Sequence, residues 1–212
     1  MVLKMVKKFF EEEIKKENIK LYNEAGLQYE LALYLRKELE ADILLEYPVT
    51  KLEPKVTKPI NFKFIKKEID IFIKHENERV LIELKFPRAN AGFPAQIYNA
   101  VKDVKFGVEA INNDKADRFI TIFITDHKSV RSKNTNHIYE LFNSVTDDPA
   151  IKTILIDDTY PKFMRDHKHE GGRYESIEFK KDFIIEWEDL NHNGVAFQYY
   201  IISSDSKQTR CK

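Results

Sequence analysis

Cysteine is almost absent: of 212 residues only Cys211 carries a thiol. An intramolecular disulfide and a thiolate zinc cluster are therefore excluded, and the chain suits a reducing compartment. Charge of one sign is also missing. Lys+Arg and Asp+Glu stand at 35 each, so no basic coat advertises nucleic acid, although a local basic patch around an acidic site is permitted. No apolar run approaches a membrane span. The start, Met1-Val-Leu-Lys-Met-Val-Lys-Lys8, lacks the long apolar region and small-residue cleavage site of a secretion signal. These absences lead us to expect a cytoplasmic protein with no membrane partner. There is no internal repeat and no low-complexity tract. What is present is 42% hydrophobic and 12% aromatic content, enough for one folded domain with a substantial core.

The patterning predicts an α/β order. Val6, Phe9, Phe10 and Ile14 fall at helical spacing within residues 2–16, and Leu27, Leu31, Tyr34 and Leu35 mark a second helix over residues 23–40. A strand is expected near residues 43–49. Two further runs, 64–74 and 79–86, flank the polar His75-Glu-Asn-Glu78 and read as a hairpin. Pro94 suits the first turn of a helix reaching Asn112. A strand at 119–124, a helix at 136–144, a strand at 151–156 and a polar loop at 159–174 follow. Strands at 177–187 and 195–203 close the chain around Asn191-His-Asn-Gly194. This order predicts a single domain with a central mixed sheet, helices on both faces and a C-terminal hairpin at about 175–204.

One stretch stands out: Arg79-Val-Leu-Ile-Glu83-Leu-Lys85-Phe86. Glu-x-Lys recurs at Glu13–Lys15, Glu53–Lys55 and Glu178–Lys180. The first lies in a helical pattern, the second brackets Pro54, and the third shares its strand face with Ser176 and Asp182. Only Glu83 and Lys85 sit in an apolar strand, where residues two apart share a face. Two charges there are costly unless each finds a partner or a metal. If the turn centres on Glu76-Asn77, Asp70 of the upstream run opposes Glu83, at a Cβ separation of roughly 4.5–5.5 Å. Two carboxylates that close repel unless one protonates or a cation lies between them. Mg²⁺ takes one or two carboxylates plus waters and phosphate.

Asp70 followed by Glu83-x-Lys85 on the next strand resembles the PD-(D/E)xK, restriction-endonuclease-like nuclease superfamily. Gly26-Leu-Gln-Tyr-Glu30-Leu resembles the Gly-x-x-x-Glu-Leu of its preceding helix, and Gln96 occupies the place of a Gln on its following helix. The likeness covers about residues 23–124. Ile69 stands where the family name has Pro. The resemblance implies Mg²⁺, with Mn²⁺ as a substitute, held by Asp70, Glu83 and the Leu84 carbonyl. It further implies Lys85 assisting the attacking water, Glu30 aiding the metal or orienting Lys85, and hydrolysis of phosphodiesters in DNA, with RNA left open. Glu24 is the substitute for Glu30. A homodimer would suit cleavage of both strands of a duplex.

Other residues are weaker candidates. Arg88 can reach a phosphate. Lys128, Arg131 and Lys133 form a basic loop suited to a nucleic-acid backbone. His167-x-His169 lacks the cysteines of a zinc site, and Trp187 reads as core or a dimer surface. Two rivals stand beside the nuclease: a non-catalytic interaction module on the same fold, and an α/β protein whose acidic hairpin is a surface feature.

Overall fold

The computed structural model describes residues 1–53, 68–88, 93–131, 150–151, 177–179 and 183–205. Helix α1 (Val2–Phe9) runs into a π-helical turn (Phe10–Ile14). Helix α2 spans Glu24–Leu39. It starts where Asn23 leaves the helical region and its Oδ1 accepts the Gly26 N–H at 2.7 Å, satisfying one of the helix's orphan donors. It ends at Glu40, in the left-handed conformation. Strands β1 (Asp42–Pro48), β2 (Glu68–His75) and β3 (Glu78–Lys85) precede α3 (Phe93–Asn112) and β4 (Arg118–Thr125). After them come β5 (Ala150–Ile151), β6 (Phe183–Ile184), β7 (Glu188–His192) and β8 (Val195–Asp205).

Six strands form one mixed sheet in the order β1-β2-β3-β4-β8-β7. Only β3 and β4 are parallel, and α3 makes the crossover between them. Strands β5 and β6 pair separately. Helices cover both faces. Leu27, Leu31 and Leu35 of α2 share a core with Ile71, Ile73, Ile82, Leu84, Ile120 and Ile122. Ile97, Val101 and Val104 of α3 share the other with Phe72, Leu81, Phe119 and Phe123. Strands buried on both faces read as continuous apolar runs, which is why 79–86 and 119–124 are so legible. No helix among the described residues is long and apolar enough to cross a membrane.

The closing hairpin differs from expectation. Its first strand is Glu188–His192, not 177–187. Asn193 and Gly194 both have positive φ (51° and 75°), the signature of a two-residue hairpin turn, so the ladder starts at His192↔Val195. The apolar residues upstream of that strand pack against the α3 face instead. Trp187 lies edge-on to Phe123 and Tyr200, within the core. The expected helix at 136–144, the loop at 159–174 with His167 and His169, Lys133, and most of the strand at 151–156 lie outside the described residues.

Candidate active site

The β2–β3 ladder runs from His75↔Glu78 through Ile71↔Ile82, so the turn does centre on Glu76-Asn77. One further step of this register would set Asp70 opposite Glu83, but the ladder ends at Ile71↔Ile82. The β1–β2 ladder also skips Asp70, passing from Leu45↔Ile71 to Tyr47↔Ile69. The residue facing that gap is Glu46, whose φ of 48° takes its backbone out of the extended region. Asp70 therefore lies where β2 lets go of both neighbours. Other groups replace the lost bonds. Leu84 N–H donates to Asp70 Oδ2 at 2.7 Å. Gln28 Nε2, on α2, donates to the Asp70 carbonyl at 2.6 Å and to Glu46 Oε1 at 2.7 Å.

Strand alternation orients the Glu-x-Lys pair. Ile82 and Leu84 face α2, and Leu81 faces α3. Glu83 and Lys85 thus share the α3 side. Glu83 is only 2% exposed. Lys85 Nζ lies 3.0 Å from Asp103 Oδ2 on α3 and 3.8 Å from Glu24 Oε1 at the start of α2. It donates to the Leu84 carbonyl at 2.7 Å. Glu24 is fixed from its other side, where Oε2 accepts the Phe86 N–H at 2.8 Å. Burial raises the Glu24 carboxyl above its ordinary value. The Lys85 charge and the Phe86 N–H oppose that rise, while Asp70 and Asp103 add to it. Lys85 is thus the positive centre of an acidic group drawn from both flanking helices and the hairpin.

No family model, curated protein or solved structure matches the chain. Function therefore rests on this geometry.

The structure joins both Asp70 and Lys85 to the Leu84 main chain, through its N–H and its carbonyl, and places Glu83 on the same strand face as Lys85. The helix acid it supplies is Glu24. Glu30 lies six residues further along α2, about one and two-thirds turns, half-buried. Among the described residues no hydrogen bond or ion pair joins Glu30 to the group. Gln96 is half-buried on α3, two turns before Asp103 on the same face, and it too makes no hydrogen bond to the group among the described residues. Sequence reasoning missed Asp103, Glu46 and Gln28. The signal for Asp103 was available: it interrupts the buried small-residue row Ala100, Gly107 and Ala110. No comparable signal marks Glu46.

The candidate phosphate contacts flank the carboxyl ends of β3 and β4, where open α/β sheets bind ligands. Arg88 is committed to Asp126 (2.7 and 2.8 Å) and lies 5.7–5.8 Å from the Phe86 and Phe197 rings. Lys128 is exposed and opens a short 3₁₀ turn ending at Arg131. His127 stacks on Phe93 at 4.1 Å, anchoring that turn to the start of α3.

As metal ligands, Asp70 and Glu83 offer hard carboxylate oxygens. Among the described residues no group of three His, Cys, Asp or Glu side chains is arranged to hold an ion. Mg²⁺ needs only one or two protein carboxylates, because waters complete its shell. The donor chemistry fits. The Leu84 carbonyl retains a second lone pair beside its bond to Lys85.

Proposed function

We propose that this chain is a Mg²⁺-dependent nuclease of the PD-(D/E)xK, restriction-endonuclease-like superfamily, hydrolysing phosphodiester bonds in DNA. The observation that carries the reading is Lys85 Nζ at 3.0 Å from Asp103 and 3.8 Å from Glu24, on the strand that also bears buried Glu83 and meets Asp70. Asp70 and Glu83, with the Leu84 carbonyl, would hold the cation. When bound, such an ion lowers the pKa of a coordinated water and neutralises phosphate charge. The chain's own residues do the rest. Lys85 meets Asp103 and Glu24 as ion pairs and donates a hydrogen bond to the Leu84 carbonyl, and a positioned ammonium is suited to stabilise charge growing on a phosphate oxygen. Asp103 and Glu24 aim it. Glu24 takes the place that the motif assigns to Glu30, and the Phe86 N–H fixes its orientation. Arg88 and Lys128 would meet the DNA backbone beyond the strand ends.

One observation favours a second reading, a non-catalytic interaction module on the same fold. The Lys85–Asp103 pair is buried and Lys85 also occupies the Leu84 carbonyl, so the ammonium already has internal partners. Incubation with plasmid, linear and branched DNA in Mg²⁺ or Mn²⁺ buffer separates the two. The nuclease reading expects cutting that Asp70→Ala abolishes, and the module expects intact DNA.

A further inference from the structure

A second site lies on the α3 face of the β1–β2–β3 sheet. It is a cavity of about 360 Å³, within the roughly 300–1,000 Å³ range of small-ligand pockets. One wall is the stacked pair Tyr47 and Phe72, with ring centroids 4.6 Å apart and an interplanar angle of 27°. The rest is unusually basic: Lys51, Lys74, Arg79 and Lys115 line it, and among the described lining residues Glu53 is the one carboxylate. Their partners decide what they can do. Arg79 is committed, at 3.2 Å to Asp117 and 3.8 Å to Asp114. Lys115 donates to the Leu52 carbonyl at 2.7 Å, which aims its ammonium and leaves two further N–H donors. Lys74 Nζ lies over the Phe72 ring at 5.8 Å. Among the described residues Lys51 and Lys74 form no ion pair, and both are exposed.

Among the described residues, three ammonium groups without a committed carboxylate line one half-open, aromatic-walled pocket. A phosphate monoester carries about −1.5 to −2 charges near neutral pH and three strong acceptor oxygens. We propose that this cavity binds the phosphate of a nucleotide, with Lys51, Lys74 and Lys115 on its oxygens and the Tyr47 side against its planar ring. The nucleotide is either free or part of a bound strand. Lys74 is four residues along β2 from Asp70, about 13 Å away, so the cavity is separate from the acidic group. It stands independently of the hydrolytic reading.

Calorimetric titration of the full chain in EDTA buffer tests it, since no cleavage can intervene. Adenosine 5′-monophosphate is the probe and adenosine its control. AMP should bind at least about tenfold more tightly than adenosine. Lys51→Ala/Lys74→Ala should weaken AMP by about tenfold or more, the loss of charge-assisted hydrogen bonds, with an unchanged melting temperature. A 5′-phosphorylated single-stranded DNA 12-mer, titrated into both proteins, identifies the source. Weakening by the double variant assigns the cavity to a strand, and equal binding assigns it to a free nucleotide. The proposal is overturned if AMP binds no better than adenosine, if it fails to bind at millimolar concentration, or if the double variant binds it unchanged.

Discussion

Replacing Lys85 with methionine removes the ammonium while keeping an unbranched, adaptable side chain. The Lys85 side chain is 14% exposed and that of Asp103 5%. Removing one partner of a buried pair costs about 3–5 kcal/mol, because the other charge is left uncompensated. Two features set the position within that range. Asp103 is nearly fully buried and loses a 3.0 Å contact, so its share is large. Glu24 is 43% exposed and 3.8 Å away, so its share is screened and small. We therefore expect about 3 kcal/mol. Against a total of about 5–15 kcal/mol the variant stays folded at 25 °C. For a chain of this size the melting temperature falls by about 6–12 °C. The pH dependence follows from Glu24. Burial raises its carboxyl above the ordinary 4.5, and Lys85 is the leading influence that holds it down. A carboxyl raised on folding is fully compatible with the fold below its unfolded value, and stability is lost as pH rises through its folded value. Without Lys85 that loss grows, so the deficit should be larger at pH 8 than at pH 5. Urea unfolding followed by circular dichroism at both values measures it. Adding Asp103→Leu to Lys85→Met should recover more than half the loss, since the Asp103 carboxylate is then no longer left buried without its partner. Equal stability of wild type and Lys85→Met at pH 8, or no recovery in the double variant, refutes the reasoning.

His192→Ala should cost about 2–4 kcal/mol in urea unfolding. The buried ring bridges Nδ1 to the Ile14 carbonyl (3.0 Å) and accepts the Leu21 N–H at Nε2 (3.3 Å), so both main-chain groups lose their partner. An unchanged midpoint would mean the N-terminal helix docks without it. Gly107→Ala should destabilise by about 1–2 kcal/mol, although helix propensity alone favours alanine by about 1 kcal/mol. A Cβ there would lie 2.4 Å from Phe119 Cγ, and Phe119 is 1% exposed and edge-on to Phe183, so overpacking outweighs propensity. A higher melting temperature for this variant would show that α3 can move off β4.

The hairpin was the most legible part of the chain. Its register follows from a polar turn at His75-Glu-Asn-Glu78 and from apolar runs that tolerate no one-residue slip, because a slip would exchange Glu83 and Lys85 with core residues. The mixed sheet with helices on both faces was legible for the same reason: strands covered twice show no alternation. What was hidden depends on contacts between distant segments. Gly26-x-x-x-Glu30 drew attention to Glu30, but how α2 is rotated over the sheet is a tertiary matter. The helix's first turn meets the end of β3, so Glu24 reaches Phe86 and Lys85. Glu46 adopts a left-handed backbone that no local signal marks, and that single departure opens the ladder at Asp70. The closing hairpin starts later than its apolar pattern predicts because Phe179, Phe183, Ile185 and Trp187, before Glu188, serve the α3-side core and not the β7–β8 ladder.

The most direct measurement is the rate at which supercoiled plasmid disappears in Mg²⁺ buffer for wild type, Asp70→Ala and Lys85→Ala, each shown folded by circular dichroism. The account expects metal-dependent cutting by the wild type, suppressed by EDTA and lost in both variants. Plasmid untouched by the folded wild type, or cut at the same rate by either variant, would contradict it.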